Sequence, residues 1–176
     1  MNFFRKKELR VILWSFGCEG KTSLLYKGLK GMKDIQLIRT ITFNIESIIF
    51  NGQNLSFWDV GGGDKIKEIR RKMFLPLGDA IIYFIDSSKP IIEENYSDFK
   101  YNYEELKKCI EIIGDKPLLI AITKIDIRKV STLDIINIYK LENLFQRKKK
   151  FGLIECSSVT LEGIKEIEYW LGSIKE

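Results

Sequence analysis

No histidine occurs anywhere in the 176 residues. The commonest side-chain general base and a frequent zinc ligand are therefore missing, so any catalysis must run without imidazole. Cysteine is nearly as sparse. Cys18, Cys109 and Cys156 lie far apart, which argues against a disulfide framework and against a zinc site. Such isolated thiols fit a reducing compartment, and the expected location is cytoplasmic. No apolar run approaches the roughly 18 residues that a membrane-spanning helix needs. No secretory pattern opens the chain, and Asn at position 2 breaks the N-myristoylation pattern. Internal repeats, low-complexity tracts and linker-like stretches are absent as well.

What is present suits a single domain with a proper core, with 45% of residues hydrophobic and 30% charged. The expectation is one domain over 1–176, with 1–8 as a short basic and aromatic tail. Phe3 and Phe4 beside Arg5, Lys6 and Lys7 suit a weak peripheral contact with an anionic membrane. A frayed, partly packed tail is the plainer reading. The net charge of +5 is mild. Nucleic acid is only a weak inference from it and is not an expected partner, since a polyphosphate ligand or anionic lipid fits the charge equally well.

The chain is organised around Ser15-Phe16-Gly17-Cys18-Glu19-Gly20-Lys21-Thr22, which follows the apolar run Val11 to Trp14. A strand, a glycine-containing turn and Gly-Lys-Thr opening a helix make the layout of a phosphate-binding loop. Backbone N–H groups must curl around phosphate oxygens, so Gly17 and Gly20 keep side chains away. Lys21 brings a cation to the terminal phosphates, the Thr22 hydroxyl suits Mg²⁺, and the helix N-terminus favours the same anion. Ser15 departs from the pattern by replacing its first glycine.

Beyond this loop, strands alternate with helices. Strands are expected at about Arg10–Trp14, Phe43–Phe50, Leu55–Val60, Ala80–Asp86, Pro117–Thr123 and Phe151–Cys156. Asn51-Gly52 marks a hairpin, so the strands it joins are antiparallel. Helices are expected after the loop to about Gly28–Gly31, at Lys65–Phe74, through Tyr96 to Ile113, at Thr132–Phe145, and near the end with an Ile164, Ile167, Trp170, Leu171, Ile174 stripe. Arg147 to Lys150 reads as a solvated basic loop, with a membrane or nucleic-acid contact as the sharper alternative. The fold class is α/β of the P-loop NTPase type, a six-stranded, mostly parallel sheet with one antiparallel strand and helices on both faces. Ligands in such a sheet bind beyond the carboxyl ends of the strands. The loop, Asp59, Lys124, Asp126 and Ser157 all fall there.

This constellation fits a nucleoside triphosphate with Mg²⁺. Thr22 and Thr40 each bring a hydroxyl to the metal, and Asp59 holds it through water. Gly62, two residues past a strand, lets a bare N–H approach the γ-phosphate. Asp126 accepts from the adjacent N1–H and N2–H₂ donors of guanine. As a buried carboxylate it would be left unpaired against adenine, at a cost of several kcal/mol. Lys124 lays its stem along the base plane.

The chain resembles the small GTPases of the Ras superfamily, and among them most the Arf (ADP-ribosylation factor) family. The likeness runs almost end to end, from Lys7-Glu8-Leu9-Arg10 to Trp170-Leu171. It is carried by Thr40-Ile41-Thr42-Phe43-Asn44-Ile45-Glu46, by Trp58-Asp59-Val60-Gly61-Gly62 with Asp64-Lys65-Ile66, and by Glu155-Cys156-Ser157-Ser158. The resemblance implies a GTP/GDP switch whose nucleotide contacts are Phe16, Gly17, Cys18, Glu19, Gly20, Lys21, Thr22, Ser23, Thr40, Gly62, Thr123, Lys124, Asp126, Ser157 and Ser158. Thr22, Thr40 and Asp59 serve Mg²⁺, and Lys21, Thr40, Gly62 and Gly63 stand at the catalytic positions. Thr40 and Gly62 would grip the γ-phosphate and release it after hydrolysis. The hairpin of about Phe43 to Val60 would slide in register and couple nucleotide state to the N-terminal segment. Protein effectors, an exchange factor and a GTPase-activating protein are implied, with a monomer as the expected state.

The departures carry information. Gly63 stands where the family has the glutamine that orients the attacking water, so hydrolysis is expected to be slow or partner-dependent. Thr123 replaces the usual asparagine, Ser158 the usual alanine, and Met73 the tyrosine of an aromatic effector patch matched by Phe43 and Trp58. The tail is shorter than the family's amphipathic helix. Two rival readings remain in view. One is a non-hydrolysing, GTP-bound docking subunit; the other, an ATP-using P-loop enzyme, is opposed by Asp126.

Overall fold

Three segments are so continuously apolar that only a sheet buried on both faces accommodates them. They become β1 (Leu9–Trp14), β4 (Ala80–Asp86) and β5 (Leu118–Thr123), the last two buried along their whole length. The computed structural model describes residues 8–33, 43–61, 67–90, 96–147 and 150–174. Its sheet also contains β2 (Phe43–Phe50), β3 (Gln53–Val60) and β6 (Phe151–Glu155). The six strands lie in the order β2-β3-β1-β4-β5-β6. All neighbours are parallel except β2 and β3. The hairpin turns as expected: Asn51 and Gly52 both have positive φ, 48° and 71°, the handedness a two-residue turn needs to match strand twist.

Alternation along β1 divides the core. Val11 and Leu13 face Leu24, Leu25 and the closing helix α6 (Ile164–Ser173). Ile12 and Trp14 face α3 (Tyr96–Ile113), through Phe99, Leu106 and Ile113. The expected stripe of α6 is buried as read, including Ile174 just beyond it. On the α6 side, α1 (Lys21–Ser23) starts directly after the phosphate loop and runs on as a π-helical segment, Leu24–Leu29. A second short helix, α2 (Lys67–Phe74), follows β3. Among the described residues, no helix is long and apolar enough to cross a membrane.

One helix expected from the sequence is two. The segment Thr132–Phe145 breaks into α4 (Thr132–Ile138) and α5 (Glu142–Arg147), and Lys140 between them has φ 49°. Tyr139 and Leu141 are both buried in the same core, yet residues two apart point to different faces of a helix. The break allows both to turn inward. It also places Arg147 at the end of α5 rather than in the following loop.

A polar cluster ties the helical segment after the loop to β2. Glu46 accepts from Tyr26 Oη at 2.6 Å and from Lys30 Nζ at 2.7 Å, while Asn44 Nδ2 donates to Tyr26 Oη. The Lys30 and Tyr26 donors pull the Glu46 carboxyl down from 4.5 to about 2. Because the folded value is depressed, the stabilisation is fully present above pH 4.5 and is lost as pH falls towards 2. Urea titrations of the wild type and Glu46→Gln should thus differ by a constant amount near neutrality and converge in this acid window. A difference that persists at the acid end would count against the cluster.

Candidate functional site

β1 delivers the chain at Ser15 into a tight loop whose carbonyls are held one after another by side chains. Lys67 Nζ donates to Phe16 O at 2.8 Å. Gly17 O accepts from Ser15 Oγ at 2.9 Å and from Lys21 Nζ at 3.3 Å. Lys124 Nζ reaches Cys18 O at 3.3 Å, and Thr123 Oγ1 donates to Glu19 O at 2.8 Å. Gly20 O accepts the first helical bond, from Leu24 N. In a trans peptide C=O and N–H point in opposite directions. Each held carbonyl therefore turns the next N–H, from Gly17 to Gly20, the other way, and a run of such donors makes an anion cradle.

The glycines do different work. Gly20 has φ 91°, which disfavours any side chain there. A Cβ on Gly17 would meet no protein atom within 4 Å, so its bareness keeps space open rather than relieving a clash. Lys21 is buried, its ammonium 2.7 Å from the Ser15 hydroxyl. The side chain that replaces the pattern's first glycine thus supports the loop lysine. Glu19 is buried beneath the loop, accepting from Asp86 N at 2.8 Å, with Lys89 Nζ at 3.5 Å. Burial raises its pKa, and the nearby Lys89 charge only partly opposes this.

At the end of β3, Asp59 is fully buried and its Oδ2 accepts from Thr22 Oγ1 at 2.5 Å. A hydroxyl and a carboxylate in contact, beside a phosphate cradle, are the hard oxygen donors that Mg²⁺ takes alongside phosphate and water. The donor set fits that ion. Thr40, Gly62 and Gly63 lie outside the described residues, as do residues 1–7 of the tail.

Across the loop, a pocket is lined by Gly20, Ser23, Leu24, Thr123, Lys124, Asp126, Ile127, Cys156, Ser158 and Val159. Lys124 adopts a left-handed φ of 58°, which marks a sharp bend as β5 gives way to the turn Ile125–Ile127. Its ammonium also pairs with Asp86 Oδ2 at 2.6 Å. Burial pushes the Asp86 carboxyl up, but Lys124 and Ser88 outweigh it, and the net shift is downward. Ser157, itself buried, donates to Asp126 Oδ1 at 2.6 Å and accepts from the N–H groups of Val159 and Thr160. Asp126 is exposed rather than buried, which corrects the sequence reading. It is the middle residue of the one-turn helix Ile125–Ile127, on the lining of this pocket.

The structure brings together Phe16 to Ser23, Asp59, Thr123, Lys124, Asp126, Ser157 and Ser158 at the carboxyl ends of the parallel strands. Sequence reasoning missed three contributors: the Ser15 hydroxyl, Asp86 and Lys67. Asp86 had a usable signal, since it closes a strand at this same end of the sheet. Lys67 had none, because a lysine in a charged helix reads as solvated.

A phosphate cradle after β1, a hydroxyl–carboxylate pair and a pocket beside them at one sheet end define a P-loop nucleotide-binding protein. The sequence comparisons narrow this. A profile of the ADP-ribosylation factor family matches residues 1–174. The chain belongs to that family, and so to the GTP-binding small GTPases of the Ras superfamily. It is 29% identical over 171 residues to ADP-ribosylation factor J of Dictyostelium discoideum, covering 97% of this chain and 87% of the relative. It is 30% identical over 168 residues to ADP-ribosylation factor-like protein 2 of Arabidopsis thaliana, covering 95% and 87%. Arf-family GTPases are nucleotide switches that bind GTP and GDP, typically with Mg²⁺.

Proposed function

We propose that residues 1–176 form one guanine-nucleotide switch domain whose own GTP hydrolysis is slow or needs a partner. The observation that carries this reading is the convergence of the clamped phosphate loop, the Thr22–Asp59 pair and the Lys124–Asp126 pocket on one end of the sheet. In the proposal the N–H groups of Gly17 to Gly20 and the Lys21 ammonium bind the phosphates, with Thr22, Thr40 and Asp59 serving Mg²⁺. Bound Mg²⁺ would neutralise charge on the terminal phosphates. Asp126, oriented by Ser157, accepts from the guanine edge; the Lys124 stem covers one base face, and the backbone N–H of Ser158 meets the guanine O6. Lys21 and the amides stabilise charge as a water attacks the γ-phosphate in line. Gly63 brings no side chain to orient that water, and this is the reason for slow turnover.

The test is to load the purified protein with GTP and Mg²⁺ and follow the bound nucleotide by chromatography over a day. Slow conversion to GDP is expected, and it should quicken with a partner that supplies the orienting group. Rapid conversion by the protein alone would overturn the hydrolysis part of the proposal, and failure to take up GTP or GDP at micromolar concentration would end all of it. Gly63 also favours a second reading, a docking subunit with GTP as a structural ligand, for which GTP would persist undiminished. Effectors, an exchange factor and an activating protein belong to the proposal through the family. A monomeric state, a cytoplasmic location read from the isolated cysteines and a weak membrane contact through residues 1–7 are part of the proposal as well.

A further inference from the structure

Helix α2 is built inside out. Its buried residues are Lys67, Arg70 and Arg71, while Ile69 and Met73 are 59% and 58% exposed. Each buried cation has a defined acceptor. Arg70 Nη1 donates to Gly61 O at 2.6 Å, at the end of β3, and Arg71 forms a two-pronged pair with Glu105 of α3. Lys67, only 7% exposed, crosses to the phosphate loop. Its ammonium lies 2.8 Å from Phe16 O and 4.0 Å from the centre of the Phe16 ring. That ring stacks on Tyr101 of α3, centroids 6.5 Å apart.

We propose that Lys67 is a positioning residue for nucleotide binding: by holding Phe16 C=O it aims the Gly17 N–H at the phosphates and so couples helix α2 to nucleotide release. The inference rests on the reading of this loop as the phosphate site. Three of the four clamped carbonyls are held by residues of the nucleotide motifs, namely Gly17 O by Lys21, Cys18 O by Lys124 and Glu19 O by Thr123. The fourth, Phe16 O, is held from outside those motifs, by the first residue of α2. A buried, charge-assisted bond fixes a peptide plane more firmly than a neutral one. Without it the Phe16–Gly17 peptide is free to rotate, and the cradle loses the orientation of its first donor. Any displacement of α2 that draws Lys67 away has the same effect.

The experiment measures release of a fluorescent N-methylanthraniloyl-GDP in Mg²⁺ from the full chain. Lys67→Met is expected to speed release about tenfold, the scale of one lost hydrogen bond to a charged group. Lys67→Arg, which keeps a cationic donor, should restore the rate to within about threefold. Glu68→Gln, an exposed substitution on the same helix, should release at the wild-type rate. A structural weakening of α2 would not be repaired by the arginine. Wild-type release from Lys67→Met, or faster release undiminished in Lys67→Arg, overturns the proposal. If Lys67→Met does not fold, Lys67→Gln takes its place, with faster release supporting the coupling and an unchanged rate overturning it. Wild-type protein that takes up no labelled GDP would instead remove the nucleotide reading beneath the inference, which keeps the two failures distinct.

Discussion

Arg71→Ala is expected to lower the free energy of unfolding by about 3–5 kcal/mol, read from urea titration at neutral pH. Glu105 is the reason. Its carboxylate, in a residue only 5% exposed, accepts from Arg71 Nε at 2.9 Å and Nη2 at 2.7 Å, and from Trp14 Nε1 at 2.9 Å. Removing the guanidinium strands that charge between β1, α2 and α3, and one indole N–H cannot replace two charge-assisted bonds. The double variant Arg71→Met with Glu105→Leu should recover most of the loss, since apolar groups of similar size often substitute for a buried pair at little cost. An Arg71→Ala protein within about 1 kcal/mol of wild type would show that the pair does not hold α2 in place.

Asp126→Ala is expected to weaken GDP binding by roughly 100- to 1000-fold, because two hydrogen bonds to an ionised acceptor vanish together. On the proposed reading ATP gains nothing from this carboxylate, so ATP binding should stay unchanged and any preference for guanine should collapse. Competition of GDP and ATP against a labelled guanine nucleotide measures both. Ser157→Ala offers a graded version. It removes the 2.6 Å bond that orients Asp126 but leaves the charge, so a smaller loss is expected. If GDP binds Asp126→Ala as tightly as wild type, the pocket beside Lys124 is not where the base is read.

Much of this arrangement was legible before the fold was known, because it follows from short-range chemistry. The sheet came through since β1, β4 and β5 carry runs that no exposed strand tolerates. The antiparallel edge came through since Asn51-Gly52 admits positive φ cheaply. What escaped were features set by tertiary context. Lys140 takes a left-handed conformation with no residue-level cue, because burial of Tyr139 and Leu141 outweighs continuation of one helix. Asp126 was read as a buried carboxylate, whereas it is exposed. The Ser15 hydroxyl looked like a defect in a glycine pattern and turned out to seat the loop lysine. Lys67 belongs to the same class, a contact made across 51 positions of sequence.

The two ways of attaching a helix to this sheet should respond oppositely to temperature. The closing helix α6 is docked by Ile164, Ile167, Trp170 and Leu171, apolar contacts whose strength fades on cooling. Helix α2 is held by Phe74 at its end and, along its buried face, by ammonium and guanidinium groups bonded to carbonyl and carboxylate oxygens, which carry no such penalty in the cold. As the protein is chilled, its last helix should loosen first, while the basic helix beside the phosphate loop keeps its grip.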